Sequence, residues 1–239
     1  MPTLIERIRN LTDQIKSQAE SKVNEDEAKG FRTRSKELSD PSDEISVTTR
    51  RLELFQAHGI PVKLPLPNAS ELKKSIDEIS DKYASDPLSI ISANTGWRFG
   101  TKNQLSSLAS IASEEATSAW NKYLSDLKPP IDQGIIFVLR SSPAYAEQLK
   151  GLQTLSAEFS TLEGRLPTSE EEISRPKELA EEMLQASENL PEEIPEPVQD
   201  LFKAINAGNA TAVNLTDEAS AWLRKNELLP SLKISWGEV

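Results

Sequence analysis

The chain has no cysteine and a single histidine, His58. Disulfides, thiolate nucleophiles and sulfur-ligated metals are therefore excluded, and so is any metal site built on several imidazoles. A Ser-His-Asp triad would have one candidate base. Aromatic residues number 13 in 239, and apolar residues make up 37% of the chain. Even with the nine glycines added, that is less than the usual ~45–50%, so the core is expected to be thin. Long hydrophobic runs are missing as well. The longest, Ile135–Leu139, falls far short of the ~20 residues a membrane helix needs. The first fifteen residues contain Glu6 and Asp13 with no apolar stretch behind them, so neither a secretory leader nor a membrane span is expected, and the protein is placed in the cytoplasm. There is no glycine-rich phosphate loop, no GxGxxG, no HExxH and no calcium-loop spacing.

What the chain does have is acid. The net charge is −11, and it is unevenly spread: residues 1–64 carry 11 basic and 11 acidic side chains, whereas residues 131–239 carry 9 and 19. An acidic surface repels phosphate backbones, so direct nucleic-acid binding is not expected. Arg32, Arg34 and Lys36 stand close together near the N-terminus, but acids interleave there, as on an ordinary solvated helix face. Between Ser169 and Glu196 there are 10 acids and 2 bases. Adjacent glutamates such as Glu170-Glu171-Glu172 point in different directions on a helix, so they build neither an acid/base pair nor a metal cage. No cofactor or metal is expected, and the chain reads as a non-enzyme.

The periodicity is helical. Leu4, Ile8, Leu11 and Ile15 follow 4-3-4 spacing, with Ala19 and Val23 as weaker continuations. An unbroken helix from Thr3 to Leu38 would be roughly 50 Å long. Asp40-Pro41 is expected to stop it, because the residue before proline is pushed out of the α region. Ser42 would then cap a second helix carrying Ile45, Leu52 and Phe55. His58 falls in its last turn, and Gly59 at the position that favours a left-handed cap. Capping, rather than catalysis, is the expected role of His58.

Three prolines in Ile60–Pro67 mark an extended boundary. Asn68 and Glu71 then have capping-box spacing ahead of the stripe Leu72, Ile76, Ile79, Tyr83. The segment around Trp97, Arg98 and Phe99 breaks the pattern and has two readings: a displayed interface hot spot, or a loop tucking its aromatics over the helical core. Asn103–Leu127 reads as a long helix, residues 131–139 as either a strand or a helix start, and 143–162 as helix again. Thr168 and Glu171 form a further capping-box pair, with Pro176 resetting the helix behind them. Thr211–Leu215 and Leu232–Trp236 look like short strands around a helix capped by Thr216.

These features predict a mainly α fold: an N-terminal helical hairpin arm with coiled-coil character (1–60), a central helical bundle (68–190) and a small β-α-β tail (198–239). The expected function is that of a non-catalytic protein-interaction subunit, a scaffold or accessory component working by helix pairing or self-association. Its partner-binding residues would be Leu4, Ile8, Leu11 and Ile15 with Trp97, Arg98 and Phe99, because a thin core should leave the apolar ridges uncovered. The alternative is an acidic regulatory module beside an ATPase or nuclease in a bacterial multi-gene system, its 169–196 segment mimicking nucleic acid or occupying a basic groove.

Overall fold

The computed structural model describes residues 3–22, 24–63, 69–92, 97–140, 142–188, 190–191 and 193–232, the side chains of Arg98 and Phe99 excepted. Nine α-helices account for most of them: α1 Leu4–Ser21, α2 Glu25–Ala57, α3 Ala69–Ser85, α4 Asn103–Leu127, α5 Gln133–Leu139, α6 Ala146–Thr161, α7 Glu170–Ser187, α8 Glu196–Asn206 and α9 Asp217–Lys225. The chain divides into two units, one formed by residues 1–123 with 166–173, the other by 124–165 with 174–239.

In the first unit, α1 begins at a capping box in which Thr3 and Glu6 exchange side-chain and backbone hydrogen bonds. It ends at Ser21, two residues before Val23, the last position of the sequence stripe, and does not run on toward Leu38. Asn24 opens α2: its side chain accepts from the Asp26 amide at 3.0 Å, and Glu25, Asp26 and Glu27 fill the first turn, where the helix dipole favours anions. The hairpin bend thus lies at residues 22–24, with Val23 itself outside the described set, and not at Asp40-Pro41-Ser42. Pro41 sits inside the 33-residue α2, and Ser42 is no cap. Proline removes one donor and crowds the carbonyl four residues back. Leu38 and Ile45 on either side are nevertheless both buried in one core, so tertiary packing holds the helix through the defect. Replacing Pro41 by Ala should raise stability by about 1–2 kcal/mol, less than the full helix-propensity difference because proline also restricts the unfolded chain. Urea denaturation would measure this, and a lower midpoint would show that the proline serves the native packing.

The hairpin is not a separate arm. Ile8, Leu11, Ile15, Phe31, Leu38 and Ile45 share one apolar cluster with Leu72, Ile76, Ile79 and Tyr83 of α3 and with Leu105 and Leu108 of α4. Tyr83 donates its hydroxyl to the Gln14 carbonyl at 3.0 Å, and burial pushes the phenol's pKa up. Arg7 pairs with Asp77 across the same α1–α3 contact. Gly30 allows a close approach: a Cβ there would lie 3.1 Å from Ile91 Cγ2, so the Ile91 side chain would have to give by a few tenths of an ångström. At its far end α2 stacks Phe55 on Trp120 with centroids 5.7 Å apart. It finishes at His58, followed by Gly59 at φ +75°. Arg51 Nε donates to the Pro167 carbonyl at 2.9 Å, tying the 166–173 segment to α2. The expected cap at Asn68 lies outside the described residues.

In the second unit, Asp132 caps α5 by accepting from the Gly134 amide at 2.7 Å, which settles residues 133–139 as helix. Ile135, Val138 and Leu139 pack with Val198, Leu201 and Phe202 of α8 and with Ala219 and Leu223 of α9. Phe137 meets Phe202 edge to face at 6.3 Å. Helix α7, whose first residues belong to the other unit, runs to Ser187 straight through Pro176. Its start is held by Ser169 Oγ accepting from the Glu172 amide and by Thr168 donating to Glu172, so Glu172, not Glu171, is the capping carboxylate.

The β-α-β tail is overturned, since there is no strand among the described residues. Ala212–Asn214 is a single 3-10 turn, because Asn214 Oδ1 accepts from both the amide and the hydroxyl of Thr211. Such local side-chain bonds compete directly with a sheet ladder. Most of the expected Leu232–Trp236 strand lies outside the described residues. Thr216 caps α9 as its sequence position implies.

Candidate functional site

The Leu4–Ile15 ridge is covered. Ile8, Leu11 and Ile15 are at most 1% exposed, enclosed by α2 and α3 of the same chain, while Leu4 is half-buried at the edge of that cluster. The expectation of an open ridge is corrected by a simple geometric fact: the bend at residues 22–24 folds α2 back along α1 and supplies the missing apolar wall.

Trp97 is also buried, and it sits in a polar knot that single-sequence periodicity cannot reveal. Its indole Nε1 donates to Glu37 Oε2 at 2.7 Å. The same carboxylate takes Arg34 Nη1 at 2.6 Å and Lys102 Nζ at 2.7 Å. Arg34 in turn donates Nε to the Ile90 carbonyl at 3.0 Å, and its guanidinium carbon lies 5.5 Å from the Trp97 ring centroid, a cation–π contact. Partial burial pushes the Glu37 pKa up, but hydrogen bonds from Lys102, Arg34 and Trp97 together outweigh it and hold the carboxyl below its ordinary value. One glutamate on α2 thereby fastens both the 87–90 turn and the π-helical Trp97–Lys102 segment. Arg98 and Phe99 belong to that segment, and their side chains lie outside the described residues.

On the seam between α1 and α2 a groove of about 450 Å³ opens. Every lining residue is polar. Arg9 and Lys16 come from α1, Arg32 and Lys36 from α2, with Asp13 and Asp43 beside them and Thr12, Ser35, Ser39 and Ser42 along the floor. The four cations are exposed and form no ion pair among the described residues. Ser35 Oγ lies 3.5 Å from the Thr12 carbonyl oxygen, which marks the antiparallel register.

Helix α7 has the opposite character. Arg175 holds Glu158 at 2.7 Å and also bonds Glu178 and Glu182, and these bonds, foremost that from Glu158, push its pKa further up. Glu171, Glu181 and Glu188 remain exposed, and Leu184 lies between the last two with half its surface open. No group of three or more metal-ligating side chains occurs among the described residues, and no described helix is long and apolar enough to cross a membrane. No family model matches the chain, and neither a curated protein nor a solved structure is detectably similar to it.

Proposed function

We propose that this chain is a non-catalytic protein-interaction subunit, a scaffold or accessory component of a cytoplasmic multiprotein complex that engages its partner through an outer helix face. The observation that supports this reading is the exposed face of α7, where Leu184 is 51% exposed and flanked by Glu181 and Glu188. An apolar anchor among carboxylates suits a groove with an apolar floor and basic rim: the leucine supplies burial and the acids supply steering and register. The more specific alternative, an acidic regulatory module beside an ATPase or nuclease, draws on the same helix and on the 10 acids against 2 bases between Ser169 and Glu196.

Cross-linking of the full-length protein in extracts of its native host, read by mass spectrometry, tests the proposal. Leu184→Asp and Glu181→Lys are expected to lose the same specific cross-links while the fold is kept. Unchanged cross-links in both variants would remove α7 as the interaction face. Affinity for the captured partner that falls steeply with salt favours the acidic-module reading, and a flat response favours the apolar anchor.

A further inference from the structure

We infer that the α1–α2 seam groove is a binding site for a hydroxylated phosphate monoester of the sugar-phosphate class. The lining carries four cations, Arg9, Lys16, Arg32 and Lys36, against two carboxylates, Asp13 and Asp43. The local balance of +2 lies within a chain of net charge −11. That balance matches one phosphate monoester, which carries roughly −1.5 to −2 at neutral pH. An extended nucleic-acid backbone, with a charge every ~1.7 Å of duplex, would press further phosphates against Asp13 and Asp43.

The register divides the groove. With Ser35 opposite Thr12, Arg32 comes level with Lys16, and Lys36 stands beside the centre. These three cations, opposed only by Asp13, form the half that takes the phosphate. Toward the other end lie Arg9, Ser39, Ser42 and Asp43, a set of donors and acceptors suited to hydroxyl groups. Ser42 is only 5% exposed, and its hydroxyl has no hydrogen-bond partner among the described residues. That hydroxyl is not among the buried unpaired atoms, so it is reached from the groove and can bond a sugar hydroxyl in place of water. No aromatic residue lines the groove, so a nucleobase would find no ring to stack on. Its volume falls within the ~300–1,000 Å³ usual for small-ligand sites.

Isothermal titration of the full-length protein at low ionic strength tests this with glucose 6-phosphate, glucose, inorganic phosphate, AMP and a phosphoserine peptide. Saturable one-to-one binding of glucose 6-phosphate is expected, tighter than each of the other four. The Arg32→Gln, Lys36→Gln double variant should weaken it by about tenfold or more, because two charge-assisted phosphate contacts are lost. Both positions are exposed, and circular dichroism confirms the fold. Asp43→Asn should weaken the sugar phosphate without weakening inorganic phosphate. The proposal is overturned by no saturable binding up to about 10 mM, by AMP or the phosphopeptide binding as tightly as the sugar phosphate, or by inorganic phosphate matching it, which would mean a bare anion site.

Discussion

Leu11→Asp is expected to unfold the hairpin unit. Leu11 is 1% exposed, set between Ile8 and Ile15 and packed in the cluster shared with α2, α3 and α4. A carboxylate there must shed its water with no partner on offer, at a cost of about 4 kcal/mol or more. A domain of this size has only about 5–15 kcal/mol in total. The expected result is a large loss of helical ellipticity or a collapse of the denaturation midpoint. Leu184→Asp, on an exposed face, should move the midpoint by no more than about 0.5 kcal/mol. The comparison separates a core ridge from a docking ridge. A docking ridge would accept the aspartate and become more soluble, so a Leu11→Asp protein with an unchanged midpoint would contradict the packing described above.

Glu37→Ala should have the next largest effect. It leaves the Trp97 indole, Arg34 and Lys102 without their common acceptor. Stranding a buried indole N–H and two cations costs about 2 kcal/mol, a figure kept modest because Lys102 is partly in solvent. Glu37→Gln retains an acceptor for Trp97 and should recover part of that loss. The pH dependence has a definite sign. The carboxyl's folded pKa lies below the ordinary 4.5. Its contribution is therefore complete above that value and disappears as the pH falls through the lowered one. Wild-type protein should lose stability over this acid window more steeply than Glu37→Gln. The indole Nε1–H resonance of Trp97 should shift over the same interval, and a resonance that stays fixed would place the titrating group elsewhere.

Several of these features are legible in the residues alone. The 4-3-4 spacing of Leu4, Ile8, Leu11 and Ile15 defines one apolar helix stripe, though not that α2 and α3 cover it, and His58-Gly59 defines a helix end, because each follows from local geometry. Asn24 followed by three acids is a helix start that the charged character of residues 24–29 conceals. Asp132 ahead of Gln133–Leu139 would likewise have decided between strand and helix. Pro41 misleads for a different reason: the proline rule weighs a local penalty, while Leu38 and Ile45 are held by partners on other helices. The Glu37 knot is beyond any local pattern, since Trp97 and Lys102 lie 60 and 65 positions away. The seam groove is intermediate. Arg32 and Lys36 are visible as an i, i+4 pair, but their convergence with Lys16 depends on where the chain turns back.

The two units are interleaved in the sequence, with residues 166–173 assigned to the first although residues 124–165 belong to the second. Arg51 must wait for Pro167, 116 positions later, to receive its hydrogen bond. At a synthesis rate of ~5–20 residues per second, that wait on the ribosome is roughly ten seconds. The nascent α1–α2 hairpin spends it without its last wall, within reach of chaperones. No single cut along the polypeptide yields both halves whole, so limited proteolysis should release neither as an intact fragment.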